Sequence, residues 1–407
     1  MHSRTLALAL AALFLGLPVC GQPPAKIQPV VGQARTYTVR RGDTLTKIAR
    51  RENVNRFTLA RLNHLTRSRP RPGRALTLPT LHILPRNPKD GIVLNLPERR
   101  VYVFKAGRLV GHYPVAIGKP DWPTAIGTFR LVEKQTNPRW TPPNSIVQRE
   151  GIKDDPVPPG PENPLGDRWM GWSKPGFGFH STNAPRSIGG AVSHGCVRLY
   201  PDAAHKMFDQ VEKGMTIYSV YEPISLGERD GQFYLAVFPN IYHKGLVSLA
   251  RITKQLARTG LLPLVDPDKI RAIEKAQTGY PHRIAGENVV VVVNGQRVPL
   301  PLAPVLRADH WIVPVGAMVE ALGGKATPGE KDTLTITASA RTLTLTAGQK
   351  TAQQDAEPIS LTSEPTVVEG NWMAPLAPLL SLFSARLTQT GHTLHIKTEA
   401  GNAAPSG

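Results

Sequence analysis

One short segment in the middle of the chain combines a cysteine with two histidines. Residues 193–198 read Ser-His-Gly-Cys-Val-Arg, and His180 lies shortly before this block. The chain of 407 residues has only two cysteines, and Cys196 is the only one outside the extreme N-terminus. A cysteine beside a glycine, with histidines nearby, is the pattern of a thiolate nucleophile and its base. Acyl transfer of this kind requires a fold that brings nucleophile, base and oxyanion site together.

The block resembles the active-site motif of the L,D-transpeptidases, which remodel bacterial peptidoglycan. The family pattern is a histidine, a spacer, then Ser/Thr-His-Gly-Cys, an apolar residue and Arg/Asn, and this chain matches it at His180 and residues 193–198. The resemblance implies that Cys196 is the nucleophile, that His180 is its base, and that the backbone carbonyl of Ser181 holds the imidazole ring. It implies no metal and no organic cofactor.

Neighbouring groups complete the predicted site. We expect the N–H groups of Gly195 and Cys196 to form the oxyanion hole, since glycine lets the backbone approach a substrate closely. His194 positions the substrate or buttresses the loop, and both interpretations stay open. Arg198 pairs with a stem-peptide carboxylate through its planar fork, or it forms a structural salt bridge. We place Ser193 at the same substrate-binding surface, with a mainly structural role.

Composition favours the cell envelope over nucleic acid. The 49 basic and 30 acidic residues leave a net charge of +19. Such a charge suits a solvated surface, or attraction to polyanions such as anionic wall polymers. No base-reading motif accompanies it, and no run of about 20 apolar residues marks a membrane span. We therefore expect peptidoglycan and anionic wall polymers as partners, and neither nucleic acid nor a transmembrane anchor.

The N-terminus has the pattern of a secretory signal peptide over residues 1–21, with a short basic region followed by an apolar stretch. An alternative interpretation is a lipoprotein with its lipid on Cys20, although bulky Val19 stands where that motif favours a small residue. After plain cleavage Cys196 is the only cysteine left, so the exported protein has no intrachain disulfide. Residues 22–36 have the composition of a linker.

Residues 37–80 follow a strand–helix–helix–strand pattern that resembles a LysM module. Gly42, Asp43 and Thr44 supply a turn and a helix cap after the first strand, and Asn63 ends the second helical pattern. LysM modules bind N-acetylglucosamine through the loop after the first strand and the loop before the last. The resemblance therefore implies these four residues as a glycan-binding set.

Two further regions follow in the chain. Residues 88–221 contain the cysteine block among successive strand-like segments, which predicts a β-rich catalytic domain. Ala125 stands where the family usually has a proline, and we expect this difference to alter only a turn. Residues 222–286 are expected to form an extension packed on the catalytic domain.

The last region, residues 287–399, contains a degenerate internal repeat. Apolar segments around Trp311 and Trp372 each lead into a helical pattern and then into a Thr-rich strand pair. This arrangement resembles the α+β stalk domain named after the N-terminal region of copper amine oxidases. No His/Cys ligand cluster is visible, so we expect no copper and a role as spacer or adhesion module. The predicted fold class is multidomain and mainly β.

Together these motifs predict a peptidoglycan L,D-transpeptidase of the periplasm or cell wall. In the expected reaction, Cys196 attacks the L-centre carbonyl of residue 3 of a tetrapeptide stem, the terminal D-residue leaves, and an amine resolves the thioester. The amine belongs to a neighbouring stem, giving a 3-3 cross-link, or to an envelope protein. The alternatives are an L,D-carboxypeptidase, in which water resolves the thioester, and a non-catalytic wall-binding protein. The presence of both His180 and Cys196 argues against the latter.

Overall fold

The computed structural model describes residues 27–85 and 90–399. This part of the chain forms thirty strands and eight α-helices, which confirms the multidomain, mainly β prediction. Within it, no helix combines the length and the apolar composition that a membrane crossing requires. The predicted signal peptide, Cys20 and the first residues of the predicted linker lie outside the described residues.

After a first strand, β1 (Gln28–Val31), the chain forms the expected β-α-α-β module. Its elements are β2 (Arg35–Thr38), α1 (Leu45–Arg51), α2 (Arg56–Leu62) and β3 (Ala75–Leu78), followed by a short strand, β4 (His82–Ile83). Strands β2 and β3 pair in antiparallel register. Thr44 and Asn55 cap the two helices with their side-chain oxygens. Ile48, Leu59 and Leu76 are fully buried between helices and strands, so the module has its own core.

The catalytic region is built on an eight-stranded mixed sheet. Its elements are β5 (Gly91–Asn95), β6 (Arg100–Lys105), β7 (Arg108–Pro114), β8 (Ile117–Gly118), β9 (Gly127–Thr136), α3 (Asn144–Glu150), β10 (Arg168–Trp172), β11 (Gly178–His180), β12 (Ala191–Ser193), β13 (Val197–Arg198), α4 (Pro201–Gln210) and β14 (Thr216–Val220). The strand order of the sheet is β13-β11-β10-β9-β14-β5-β6-β7. Strands β8 and β12 form a separate parallel pair beside it.

Strands β5 and β6 of this sheet are covered on both faces. All five residues of β5 are buried, as expected for a strand that reads as a continuous apolar run. Helix α4 buries Ala203, Ala204 and Met207 against the sheet. Strand β11, which carries His180, and strand β13, which follows Cys196, lie at the opposite end of the sheet from β7.

The extension contributes β15 (Ile224–Arg229), β16 (Gln232–Val237), α5 (Leu249–Arg258), α6 (Pro267–Ala276) and β17 (His282–Ala285). Its sheet has the order β17-β16-β15-β1-β4. Strand β1 therefore pairs in parallel with β15, with Gln28 opposite Gly227. Residues 28–31, which the sequence predicts as part of a linker, form this strand. The LysM-like module is thus inserted between two strands of the extension's sheet, which orients it against the catalytic domain.

The described C-terminal region has two helices and three small sheets. Its elements are β18 (Val290–Val293), β19 (Gln296–Arg297), β20 (Val305–Arg307), β21 (His310–Pro314), α7 (Val315–Ala321), β22 (Lys325–Pro328), β23 (Thr333–Ala338), β24 (Arg341–Thr346), β25 (Thr351–Gln354), β26 (Glu357–Ser360), β27 (Thr366–Val368), β28 (Asn371–Pro375), α8 (Leu376–Leu382), β29 (Ala385–Thr390) and β30 (Thr393–Thr398). The order β20-β21-β28-β27 sets the two repeats side by side. Each repeat runs from a strand pair into a helix and then into a second strand pair, as its sequence predicts.

The C-terminal region shares a hydrophobic core with the extension. Ile312 and Met373 of its central sheet are fully buried together with Ile252 and Leu256 of α5. The Thr366 hydroxyl of the C-terminal region also donates a 2.9 Å hydrogen bond to the carbonyl of Gly260 in the extension. The region is therefore packed on the rest of the protein along one face, which a free spacer would not be.

Candidate active site

Two parallel strands bring the predicted nucleophile and base together. Strands β11 and β13 pair with Phe179 opposite Val197 and His180 opposite Arg198. Cys196 immediately precedes β13, and alternate residues of a strand point to the same face. Because Phe179 and Val197 are fully buried in the core, the side chains of His180, Cys196 and Arg198 share the other face.

The loop before the nucleophile depends on Gly195 and Ser193. Gly195 has a φ of +107°, a backbone conformation that favours glycine, and a Cβ there would lie 2.9 Å from the ring of Phe177. The N–H of Gly195 donates to the Ser193 hydroxyl oxygen (3.3 Å), and that hydroxyl donates to the carbonyl of Cys196 (2.5 Å). Ser193 therefore holds the loop through two hydrogen bonds.

The predicted base, His180, is buried, with only 3% of its surface exposed. Its Nδ1 atom lies 2.6 Å from the carbonyl oxygen of Ser181. Because a carbonyl only accepts, Nδ1 carries the proton and Nε2 is left as the basic nitrogen. Burial, and second the charge of Arg198, lower the pKa of His180 to about 3. At neutral pH the ring is therefore neutral and able to accept a proton.

The thiol of Cys196 is protonated at rest. Its Sγ atom donates a hydrogen bond to the carbonyl of Gly176 at 3.2 Å. Burial raises the pKa of Cys196 to about 11, and a backbone hydrogen bond from Gly178 and the charge of Arg198 oppose that rise only in part. A protonated thiol and a neutral imidazole form a resting pair in which proton transfer accompanies attack on the substrate.

Three parts of the chain match known protein families. Residues 89–221 match the L,D-transpeptidase catalytic domain, residues 37–79 the LysM domain, and residues 292–398 the copper amine oxidase N-terminal domain. The Probable L,D-transpeptidase YcfS of Escherichia coli strain K12 is 34% identical over 231 residues, which are 53% of this chain and 72% of the relative. The chain belongs to the L,D-transpeptidase family.

Another relative and a solved structure also match parts of this chain. The Probable L,D-transpeptidase YbiS of the same strain is 30% identical over 254 residues, 58% of this chain and 82% of the relative. Among solved structures, the catalytic domain of the E. faecium L,D-transpeptidase aligns at 24% identity with a TM-score of 0.27, over 32% of this chain and 96% of that one. The predicted order of LysM module, catalytic domain and stalk domain is confirmed, and the protein is an L,D-transpeptidase enzyme.

Arg198 of this transpeptidase is a half-buried cation beside the predicted base and nucleophile. Its Nε atom is buried without a hydrogen-bond partner. Burial lowers the pKa of Arg198, and Cys196 is the titratable group that opposes the shift. Within the described part of the chain we find no carboxylate paired with it, so the guanidinium remains available to a substrate carboxylate and the salt-bridge interpretation finds no partner.

His194 is joined to a helix that the sequence does not connect with the site. Its Nε2 atom lies 2.9 Å from Oε1 of Glu150, the last residue of α3, and Nζ of Lys119 lies 3.1 Å from the same oxygen. The indole ring of Trp122 packs edge-on against His194 at 4.6 Å. These contacts support the buttressing interpretation of His194, and they place α3 next to the nucleophile loop.

Thr124 holds the nucleophile loop from a second direction. Its hydroxyl, 1% exposed, donates to the carbonyl of Gly195 at 2.7 Å and accepts the N–H of Gly118 at 2.8 Å. Tyr242 of the extension completes the arrangement, accepting from the Thr124 N–H (3.1 Å) and donating to the Gly118 carbonyl (2.9 Å). Sequence reasoning missed Thr124 and Tyr242 because a lone threonine and a lone tyrosine outside the motif carry no local signal.

The predicted glycan-binding residues of the LysM domain shape its loops. Gly42 has a φ of +83°, and Asp43 accepts a 2.6 Å hydrogen bond from the hydroxyl of Tyr37. Thr44 caps α1, and Asn63 donates its side-chain amide to the backbone of β3 at 2.8 Å. These side chains lie in the two loops on which the sequence places them, with polar atoms engaged inside the module.

Proposed function

We propose that this L,D-transpeptidase acts on peptidoglycan stems in the cell envelope, with Cys196 carrying the acyl group. The sulfur attacks the L-centre carbonyl of residue 3 of a tetrapeptide stem, and the terminal D-residue leaves as a free amino acid. The resulting thioester passes the acyl group to an amine. The observation that carries this proposal is the register of β11 and β13, which sets His180 and Cys196 on one face.

Proton transfer runs through Nε2 of His180. This atom takes the thiol proton while Sγ of Cys196 bonds to the carbonyl carbon, and it returns the proton to the leaving nitrogen as the C–N bond breaks. In the second half, an acceptor amine bonds to the same carbon and gives a proton to Nε2. The C–S bond then breaks, the proton returns to sulfur, and both side chains end the cycle unchanged.

Charge that develops on the carbonyl oxygen requires hydrogen-bond donors. We assign this role to the N–H groups of Gly195 and Cys196, and the long 3.3 Å bond from Gly195 to Ser193 is one that the oxyanion can replace. Arg198 is assigned to a carboxylate of the stem, since a guanidinium fork binds a carboxylate through two parallel hydrogen bonds. Ser181 acts through its carbonyl, which holds the His180 ring.

The LysM domain is assigned to the glycan strand of the same polymer. Its loops around Gly42 and Asn63 are rigidly shaped by internal hydrogen bonds, so backbone groups and neighbouring side chains supply the sugar contacts. A glycan held by this domain keeps stem peptides at high local concentration near Cys196. Export through the N-terminal signal pattern and residence in the periplasm or wall complete the proposal.

The test is incubation of the purified protein with disaccharide-tetrapeptide, followed by mass spectrometry of the products. A 3-3 dimer with release of the terminal D-residue supports transpeptidation. Added Nα-acetyl-lysine amide reports a protein-type acceptor if it becomes acylated. Tripeptide that incorporates oxygen from ¹⁸O-water would instead make the enzyme an L,D-carboxypeptidase. Product formation that persists in Cys196→Ala would contradict the assigned nucleophile.

A further inference from the structure

Three arginines meet where the LysM domain, the catalytic domain and the extension join. Arg56 and Arg61 belong to α2, and Arg99 lies in the turn between β5 and β6. The guanidinium carbons of Arg56 and Arg99 lie 4.1 Å and 5.8 Å from the centroid of the Phe57 ring. Arg61 reaches across to the extension and donates to the carbonyl of Gln277 at 2.8 Å. We call Arg56, Phe57, Arg61 and Arg99 the arginine junction.

Arg99 is buried without a counter-charge. It is only 7% exposed, and its Nε atom has no hydrogen-bond partner. Its backbone also adopts a positive φ of +55°, which is uncommon for a residue with a long side chain. The titratable groups that act on it are Arg61, which repels it, and Tyr221. The Nε atom of Arg56 is likewise buried and unpartnered.

The polypeptide itself does not supply the missing charge. Residues 1–26, 86–89 and 400–407, which the structure does not describe, contain no Asp and no Glu. Every acidic side chain of the chain is therefore described, and none of them shifts the pKa of Arg56, Arg61 or Arg99. Buried charges in proteins are almost always paired, because an unpaired one destabilises the folded state. An anion from another molecule would supply this missing charge.

We propose that the arginine junction binds an oxyanion, a carboxylate or phosphate group of an envelope polymer, with Arg99 as the central donor. Guanidinium groups present paired N–H donors whose spacing matches both kinds of oxyanion. Arg61 is exposed and gives the ligand access from solvent. The site lies outside the His180–Cys196 pair and is independent of the reaction assigned to them.

The location of the junction determines what such a ligand does. Arg56 and Arg61 belong to the LysM domain and Arg99 to the catalytic domain, so an oxyanion bound between them bridges two domains. It neutralises the repulsion between Arg61 and Arg99 that opposes their close approach. Bound polymer therefore fixes the LysM domain on the catalytic domain, and it does so only in the folded protein.

Thermal melting of the full chain tests this proposal through linkage, since a ligand that binds only the folded state raises Tm. Melting is compared in sodium chloride, sodium acetate and sodium phosphate at equal ionic strength. We expect the wild-type protein to melt at a higher temperature in acetate or phosphate than in chloride. Arg99→Leu, which removes the unpaired charge, should melt no lower than wild type in chloride and show no rise with the oxyanions. Arg258→Leu, at an exposed arginine of the extension, should keep the wild-type response.

Melting measurements with two further ligands identify the source of the oxyanion. Oligo(glycerol phosphate) supplies phosphate and disaccharide-tetrapeptide supplies carboxylates, and the one that raises Tm in wild type but not in Arg99→Leu is the ligand class. Equal Tm shifts in the wild type and in Arg99→Leu would show a general salt effect and overturn the proposal. So would a lower Tm of Arg99→Leu in chloride, because Arg99 would then be satisfied within the protein.

Arg61→Gln gives a second measurement that does not depend on a buried substitution. Isothermal titration with phosphate should show binding to the wild-type protein that weakens about tenfold in this variant, as expected when one charged hydrogen bond is lost. The Arg258→Leu control should bind as the wild type does. Unchanged affinity in Arg61→Gln, or no binding to the wild type, would overturn the proposal even if Arg99→Leu failed to fold.

Discussion

The hydroxyl of Thr124 donates a 2.7 Å hydrogen bond to the carbonyl of Gly195, the residue immediately before Cys196. The same hydroxyl accepts the N–H of Gly118, so one side chain ties β8 to the nucleophile loop. At 1% exposure, water cannot replace either partner. The conformation that presents Cys196 to a substrate therefore depends on a residue far outside the cysteine motif.

Thr124→Val keeps the shape of this side chain and removes its hydroxyl. A buried polar group that loses its partner costs about 1–3 kcal/mol. If this cost falls on the reactive conformation of the nucleophile loop, kcat should fall about 10- to 100-fold. Thr124→Ser restores the hydroxyl and should recover most of the loss. Steady-state kinetics on disaccharide-tetrapeptide, with Tm measured in parallel, separates positioning from folding. Equal loss in both variants would contradict a role for the hydroxyl, because serine keeps that group and valine does not.

Acylation of Cys196 can be observed directly. Incubation with a carbapenem, whose strained carbonyl reacts with a thiolate, should add the mass of the drug to the peptide that contains Cys196. Cys196→Ala should lose both this adduct and turnover. In protein that retains its N-terminus, the one other cysteine, Cys20, serves as an internal control. An adduct found on Cys20 alone would remove the basis for the assigned nucleophile.

His180 should control the rate of acylation and its pH dependence. His180→Ala is expected to slow acylation about 10²–10⁴-fold, the usual contribution of a general base. The pKa of His180 is lowered to about 3, so the ring stays neutral and basic as pH falls from 7 towards 4. The acid limb of kcat/KM should therefore lie well below 6.5, the ordinary pKa of histidine. An acid limb centred near 6.5 would contradict the buried, neutral base, and His392→Ala, at an exposed residue of the C-terminal region, should leave the profile unchanged.

Much of the site could be predicted because its chemistry is concentrated in one segment. Cys196, Gly195 and Ser193 are adjacent in sequence, and His180 lies within the same stretch. The order of elements in the LysM domain followed from its helix cap, Thr44, and from the spacing of its apolar residues. Local signals were sufficient here because each element is stabilised mainly by its own neighbours in sequence.

The remaining features depend on contacts between distant parts of the chain. Strand β1 contains a proline and only four residues, and it forms because β15 lies beside it, with Gln28 opposite Gly227. Glu150 reaches His194 only through the placement of α3. Tyr242 reaches Thr124 from the extension. No pattern within a short window indicates which surfaces of separate domains will pack together.

The shared core between extension and stalk predicts that the two unfold together. Met373 of β28 is fully buried among residues of α5, and truncating such a side chain to alanine costs about 2–5 kcal/mol. We expect Met373→Ala to lower the Tm of one joint transition of both regions. Leu306→Ala, at a residue that is 48% exposed, should change little. Separate transitions, with only the stalk affected, would show that the shared core does not couple them.

The LysM domain should bind the wall by two effects that salt separates. Residues 37–80 contain eleven basic and two acidic side chains, and four exposed arginines (Arg67, Arg69, Arg71 and Arg74) crowd the loop before β3. Sugar recognition needs shaped loops rather than such a charge, so the excess should attract anionic polymers. Exposed charges are screened over about 8 Å at physiological salt. Attraction should therefore fade as salt rises, while glycan binding persists.

Sedimentation of the full chain with peptidoglycan sacculi, before and after removal of anionic polymers, measures both effects across a salt series. Replacing Arg67, Arg69 and Arg71 with glutamine should weaken the salt-sensitive part and leave binding to stripped sacculi unchanged. Binding that responds neither to salt nor to stripping would refute the electrostatic part. Complete loss of binding at high salt would refute glycan recognition, because hydrogen bonds in a shaped loop are not screened in this way.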